Sequence, residues 1–200
     1  MARELTYAQK AERSIIKTYR KSIWNPFVEG CKRYELIREN DVILVCLDGT
    51  AGAAVAALCL KQLKRVSDTS FEVLFKAENE TAKAQLEVLG LKETGSDDYN
   101  KTALPVTLND VVDNTLYNMF CNSSLEGIIP NKDGVIMPLF CVYDSAINNF
   151  AQLNKLKVVD KEQSRGHEIT EKIKEINPDI EHNVFTSLHN VKLDTIVKYN

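Results

Sequence analysis

The stretch VILVCLDGTAGAAVAALCLKQL, residues 42–63, constrains the fold more than any other part of the chain. Val42 to Leu47 is an unbroken apolar run, the mark of a strand buried on both faces, as parallel sheets require. From Gly52 to Arg65 the chain is rich in alanine, so a helix there can pack close against a sheet. Between them, Leu47 to Ala53 is a tight turn holding Gly49 and Gly52. A strand, a turn and a helix in that order put the turn at the carboxyl end of a sheet, where open α/β folds bind ligands. The turn also sits at a helix N-terminus, whose spare N–H groups and dipole favour an anion. Yet it carries no Lys, Ser or amide side chain. Its one charge, Asp48, repels a polyphosphate unless a metal bridges the two. Neither GxGxxG nor GxxxxGK(S/T) occurs. A plain structural turn needs the same small residues, so both readings stand on these residues alone.

The rest of the chain continues the alternation. FEVLFKA (71–77) reads as a second strand, residues 78–89 as a helix stopped by Gly90, and KTALPV (101–106) as a short third strand. LNDVVDNTLYNMFCN (108–122) reads as a helix, GVIMPLFCVY (134–143) as a fourth strand bent at Pro138, and residues 145–153 as a further helix. Strands alternating with helices predict an α/β fold: a three-layer, Rossmann-like parallel sheet with helices on both faces. Three segments are expected within one domain: a helical arm over 1–38, an α/β core over 39–155 and a helical tail over 156–200. In the tail, Asn177 is expected to cap a helix with Pro178 in its first turn.

The net charge of −3 is unevenly spread. Residues 1–38 hold nine Lys and Arg against four Asp and Glu, and the remainder is acidic. The arm is predicted helical over 7–36, interrupted at Asn25-Pro26. Ala8, Ile15, Tyr19 and Ile23 share one side. Lys10, Arg13, Lys17, Arg20 and Lys21 fall within about 100° on the other. Five cations on one stripe suit the phosphates of RNA. A solvated face, or a face docked on the acidic body of a second copy in a homodimer, explains the stripe as well.

Other chemistry is thin. Asp110 and Asp113 lie three apart on one helix face, as Mg²⁺ ligands or as first-turn residues that complement the helix dipole. Cys31, Cys46, Cys59, Cys121 and Cys141 are scattered without a CxxC pair and read as free thiols. His167, His182 and His189 all lie in the tail and read as surface or capping residues. No G-x-S-x-G and no Cys beside a His is found. The N-terminal stretch is polar and no apolar run approaches a membrane span, so a cytoplasmic location and no membrane partner are expected.

The order of these segments resembles the PP-loop ATPases (adenine nucleotide α-hydrolase-like proteins), in particular their tRNA 2-thiocytidine synthetase type. ERSIIKTYRKSIW followed by YELIRENDVILVCL is similar to that family's first helix and strand. DVVDNTLYNMF (110–120) resembles its D-x-x-E-T-x-L-x-N-x-F helix, VIMPLFCV (135–142) its x-x-R-P-L strand, and INPDIEHNVFTSLHNVKLDTI (176–196) its S-L-x-N-V element. The resemblance implies that the pyrophosphate-gripping S-G-G-x-D-S falls on Asp48, Gly49, Thr50, Ala51, Gly52 and Ala53, where Gly49 alone matches. The family's G-H-x-x-D-D-x-x-E-T falls on residues 105–114, where Asp110 matches and Asp113 stands for Glu. The segment that carries the CxxC is missing, and no Cys lies near residues 158–164. The resemblance therefore implies a degenerate, shortened member without ATP pyrophosphatase or thiolation activity, acting by binding tRNA or a protein. ATP and Mg²⁺ would belong to it only if the remnant of residues 48–53, Asp110 and Asp113 still binds, and an iron–sulfur cluster is not expected. An enzyme of tRNA modification with an altered ATP site, and an RNA-binding module built on the arm, are the alternatives.

Overall fold

In the computed structural model, which describes residues 5–122 and 127–190, β1 (Val42–Leu47) pairs in parallel with β2 (Glu72–Ala77) on one side and β3 (Lys101–Ala103) on the other. Beyond β3 lie β5 (Val135–Ile136), parallel to it, and β4 (Asn131–Lys132), antiparallel to β5. The order across the sheet is β2-β1-β3-β5-β4. This is a mostly parallel sheet with helices around it, the α/β class expected. The 134–143 strand is shorter than its apolar run suggests. Asp133 and Gly134 both take positive φ, 52° and 77°, and join β4 to β5 as a two-residue hairpin. Asp-Gly is the strongest short hairpin signal in any sequence. Pro138 then has no N–H for a ladder, and the strand ends before it.

The chain divides into two compact units. The first comprises residues 1–107 and 129–162 and contains the sheet, α1 (Tyr7–Arg13), α2 (Asn25–Arg33), α3 (Ala51–Val66), α4 (Glu80–Val88) and α6 (Asp144–Leu153). The second comprises residues 108–128 and 163–200 and contains α5 (Leu108–Cys121), α7 (His167–Lys174) and α8 (Ile180–His189). In α3 every residue from Ala53 to Leu60 is buried, so alanine serves close packing on several sides. Pro178 precedes α8 rather than entering it: Asp179 is the cap residue, and the Asn177 carboxamide oxygen accepts from the Asp179 amide at 3.1 Å.

The arm departs from an ideal helix for a reason written in its sequence. Its inward residues are Tyr7, Ala11, Ile15, Tyr19, Ile23, Phe27 and Cys31, one every four residues. At about 100° per residue each such step drifts by about 40°, and six steps would carry the row most of the way round the helix. Between α1 and α2 the chain instead forms two π-helical turns, Ser14–Thr18 and Arg20–Trp24. Their i→i+5 bonds, such as Tyr19 N–H to Ser14 O at 2.9 Å, hold more than 3.6 residues per turn and keep the row against the core. The expected break at Asn25-Pro26 does not occur. The wide turn ends just before it, so Pro26 falls in the first turn of α2, where its missing N–H costs nothing.

At the start of β1, Asp41 is buried and paired with the Lys101 ammonium at 2.7 Å. Its carboxylate also accepts from the Arg38 amide at 2.6 Å and the Asn100 carboxamide at 2.9 Å. Burial pushes its pKa up, but these three partners outweigh burial and hold it below the usual carboxylate range. A depressed folded-state pKa stabilises the fold above the unfolded value of about 3.9, and this contribution fades as pH falls through the folded value. Urea unfolding between pH 7 and pH 2 is expected to show this acid loss, and Asp41→Asn is expected to flatten it while lowering stability at pH 7.

Candidate functional site at the carboxyl end of β1

The chain leaves β1 at Leu47 and turns through Asp48-Gly49-Thr50 into α3. Thr50 is the N-cap of α3, and its hydroxyl oxygen accepts from the Ala53 amide at 3.3 Å. One oxygen of the Asp48 carboxylate accepts from the Thr50 amide at 2.8 Å and from the Thr50 hydroxyl at 2.7 Å. The loop's own side chains therefore take N–H groups that an anion would use. Gly49 stands at φ +88°, a conformation that side-chain-bearing residues rarely adopt. It is also roofed: a Cβ there would lie 3.0 Å from Val159 Cγ2 and 3.2 Å from Asn79 Oδ1.

Two other segments, α4 with its N-cap and residues 157–159, close around this turn. Asn79, the N-cap of α4, donates its side-chain N–H to Asp48 O at 2.6 Å. The Val159 amide donates to Gly49 O at 2.9 Å. Gln85 of α4 is 1% exposed, and its Nε2 donates to Gly49 O at 2.7 Å and to Lys157 O at 2.9 Å. Sequence reasoning missed Asn79, Gln85 and Val159; only the N-cap pattern of Asn79 before residues 80–88 was open to reading. Two clefts of about 510 and 370 Å³ open elsewhere on this unit, and none of residues 48–53 lines either.

Asp110 and Asp113 belong to the second unit. Asp110 is half-buried in the first turn of α5. Asp113 is buried, and its carboxylate accepts from the hydroxyls of Ser164 and Thr170, with His167 Nδ1 at 3.6 Å. It thus binds α7 to α5. Its partners lie more than fifty residues away in sequence, and only the fold joins them. His167, the first residue of α7, is part-exposed beside this carboxylate, whereas His189 Nδ1–H donates locally to Phe185 O, 2.7 Å away.

The five arm cations are all exposed, and among the described residues none joins an ion pair, while nearby Glu12 is held by Lys61 and Arg65. The π turns rearrange them. The four-residue repeat that aligns Ala11, Ile15, Tyr19 and Ile23 also aligns Arg13, Lys17 and Lys21, offset by two residues, about half a turn. These three form a straight outward row, and Lys10 and Arg20 flank it.

No protein-family model matches the chain, and no curated protein does. Among solved structures it matches a U34-tRNA thiolase, NcsA from Methanococcus maripaludis, with a TM-score of 0.58 over 86% of this chain and 79% of that one, at 14% identity. The chain therefore shares its fold with a tRNA thiolase. That thiolase is described with its 4Fe–4S cluster. This corrects the expectation that a cluster is foreign to the chain, because a protein of the same architecture holds one. Of the five cysteines, Cys31 and Cys59 are buried, Cys46 and Cys141 are half-buried and Cys121 is exposed. Burial pushes up the thiols of Cys31, Cys46, Cys59 and Cys141, away from the thiolate that iron ligation needs. Among the described residues no three His, Cys, Asp or Glu side chains are grouped to hold a metal. No described helix is long and apolar enough to cross a membrane.

Proposed function

We propose that this chain is a PP-loop-type protein that has given up nucleotide hydrolysis and acts by binding structured RNA, of which tRNA is the natural candidate. The observation that carries this reading is the closure of the 48–53 turn. Where a phosphate would sit, the Asp48 carboxylate and the Thr50 hydroxyl already accept the loop's N–H groups, and Gly49 is covered. A polyphosphate would have to displace a carboxylate of its own charge sign, and no lysine in the turn compensates. The Asp113 carboxylate is likewise engaged by two hydroxyls and is not presented to a metal.

The outward row of Arg13, Lys17 and Lys21 supports RNA as the partner. Exposed cations that pair with no carboxylate stabilise the fold little, whereas each neutralised phosphate releases counterions. The fold's relation to a tRNA thiolase points to the same class of partner. Calorimetric titration tests the reading with two ligands. ATP with Mg²⁺ is expected to give no heat of binding, and bulk tRNA at low salt is expected to bind. Micromolar ATP affinity accompanied by pyrophosphate release would return the chain to the enzymes, and absence of tRNA binding at low salt would remove RNA as its partner.

A further inference from the structure

We propose that residues 155–161 are a strap latched over Gly49, that Gln85 is the latch, and that the strap opens locally while the sheet stays folded. The inference rests on the reading of the 48–53 turn as closed and names the segment that covers it.

The strap begins where α6 stops. Lys155 takes φ +53° and reverses the chain, and the buried Leu156, its amide bonded to Ala151 O at 2.9 Å, anchors the near end. From residue 157 to 161 the side chains are exposed, Val158 and Val159 included. This segment contributes no large side chain to the core. What holds it down is polar: the Val159 amide on Gly49 O, and the Lys157 carbonyl under Gln85 Nε2. At the far end Lys161 reaches the Asp144 carboxylate at 3.2 Å and Thr107 Oγ1 at 3.3 Å, a part-exposed ion pair that salt screens.

Gln85 is placed as a latch. It is buried on α4, 36 residues from Gly49 and 72 from Lys157, and spends the two protons of one amide nitrogen on those two carbonyls. Its orientation follows from those partners, since the opposite one would set an oxygen against two oxygens. The other end of the amide, Oε1, is buried with no partner among the described residues. A buried acceptor left unpaired is unfavourable, and lifting the strap would let water reach it. The closed state therefore combines two good hydrogen bonds with one orphaned acceptor. That combination sets closed and open states close in free energy, without engaging the apolar core.

Hydrogen exchange on the full chain tests this. In the wild type the Val159 amide is expected to exchange well before the amides of Leu44 and Val45 in β1, and with little dependence on dilute urea. Gln85→Met keeps the bulk and removes both donors, so Val159 exchange should rise roughly tenfold with β1 unchanged. Gln85→Glu sets a carboxylate against two carbonyl oxygens and should raise it further. Three outcomes overturn the strap: wild-type Val159 protection equal to that of β1, no change at Val159 in Gln85→Met, or equal loosening of Val159 and β1. The two readings fail separately. ATP binding by the wild-type chain with Val159 behaving as expected would remove the non-catalytic reading and leave the strap standing.

Discussion

Reversing Arg13, Lys17 and Lys21 together to glutamate is expected to lower tRNA affinity on the order of 10²-fold or more at low salt, with the fold intact. Three phosphates neutralised on a duplex-like surface give a slope of log K against log salt near −2.7, and five give about −4.5. Between 50 and 200 mM salt these correspond to losses of about 40-fold and about 500-fold. The wild-type slope therefore decides whether the central row acts alone or Lys10 and Arg20 join it. If the row acts alone, Lys10→Glu with Arg20→Glu should cost far less than the triple reversal. All five side chains are exposed, so circular dichroism should be unchanged. Affinity that survives the triple reversal, measured by filter binding across the salt range, would remove the arm as the RNA-binding element.

Gly166→Ala is expected to destabilise the second unit by about 3 kcal/mol or more, at the upper end of overpacking effects. Gly166 precedes α7, and a Cβ built on it would lie 1.9 Å from Asp113 O and 2.5 Å from Asp113 C. These are backbone atoms of α5, so no side chain can rotate away. Relief requires α7 to move off α5, which also parts Asp113 from Ser164 and Thr170. The loss should appear in hydrogen exchange as deprotection of α5 and α7, with β1 keeping its protection. Gly95→Ala is the control: nothing lies within 4 Å of its added Cβ, and its effect should stay within about 0.5 kcal/mol. Equal exchange changes in β1 and α5, or none in either, would show that this contact does not organise the unit.

Local chemistry explains how much of the molecule can be read from the chain. The run 42–47, the alanine-rich 51–66 helix and the alternation around them carry their own periodicity, and the sheet follows. The Asp133-Gly134 hairpin was equally open to reading, but the apolar run after it suggested one long strand. The four-residue repeat of the arm contained the π turns, since no 3.6-residue helix keeps such a row on one side. A wheel drawn at 100° per residue instead merges the five cations into one stripe.

What the sequence determined by itself is the type of element at each point and the poverty of the 48–53 turn in phosphate-gripping side chains. Both are properties of neighbours within a few residues, where propensity, capping and spacing act. Tertiary structure alone decided that the turn is closed. Its roof comes from Asn79, Gln85 and Val159, and Asp113 is held by residues 164–170, through pairs separated by 31 to 110 positions. No local pattern encodes such pairs. A buried carbonyl demands a donor from whatever the fold brings beside it, and only the folded chain determines which donor that is.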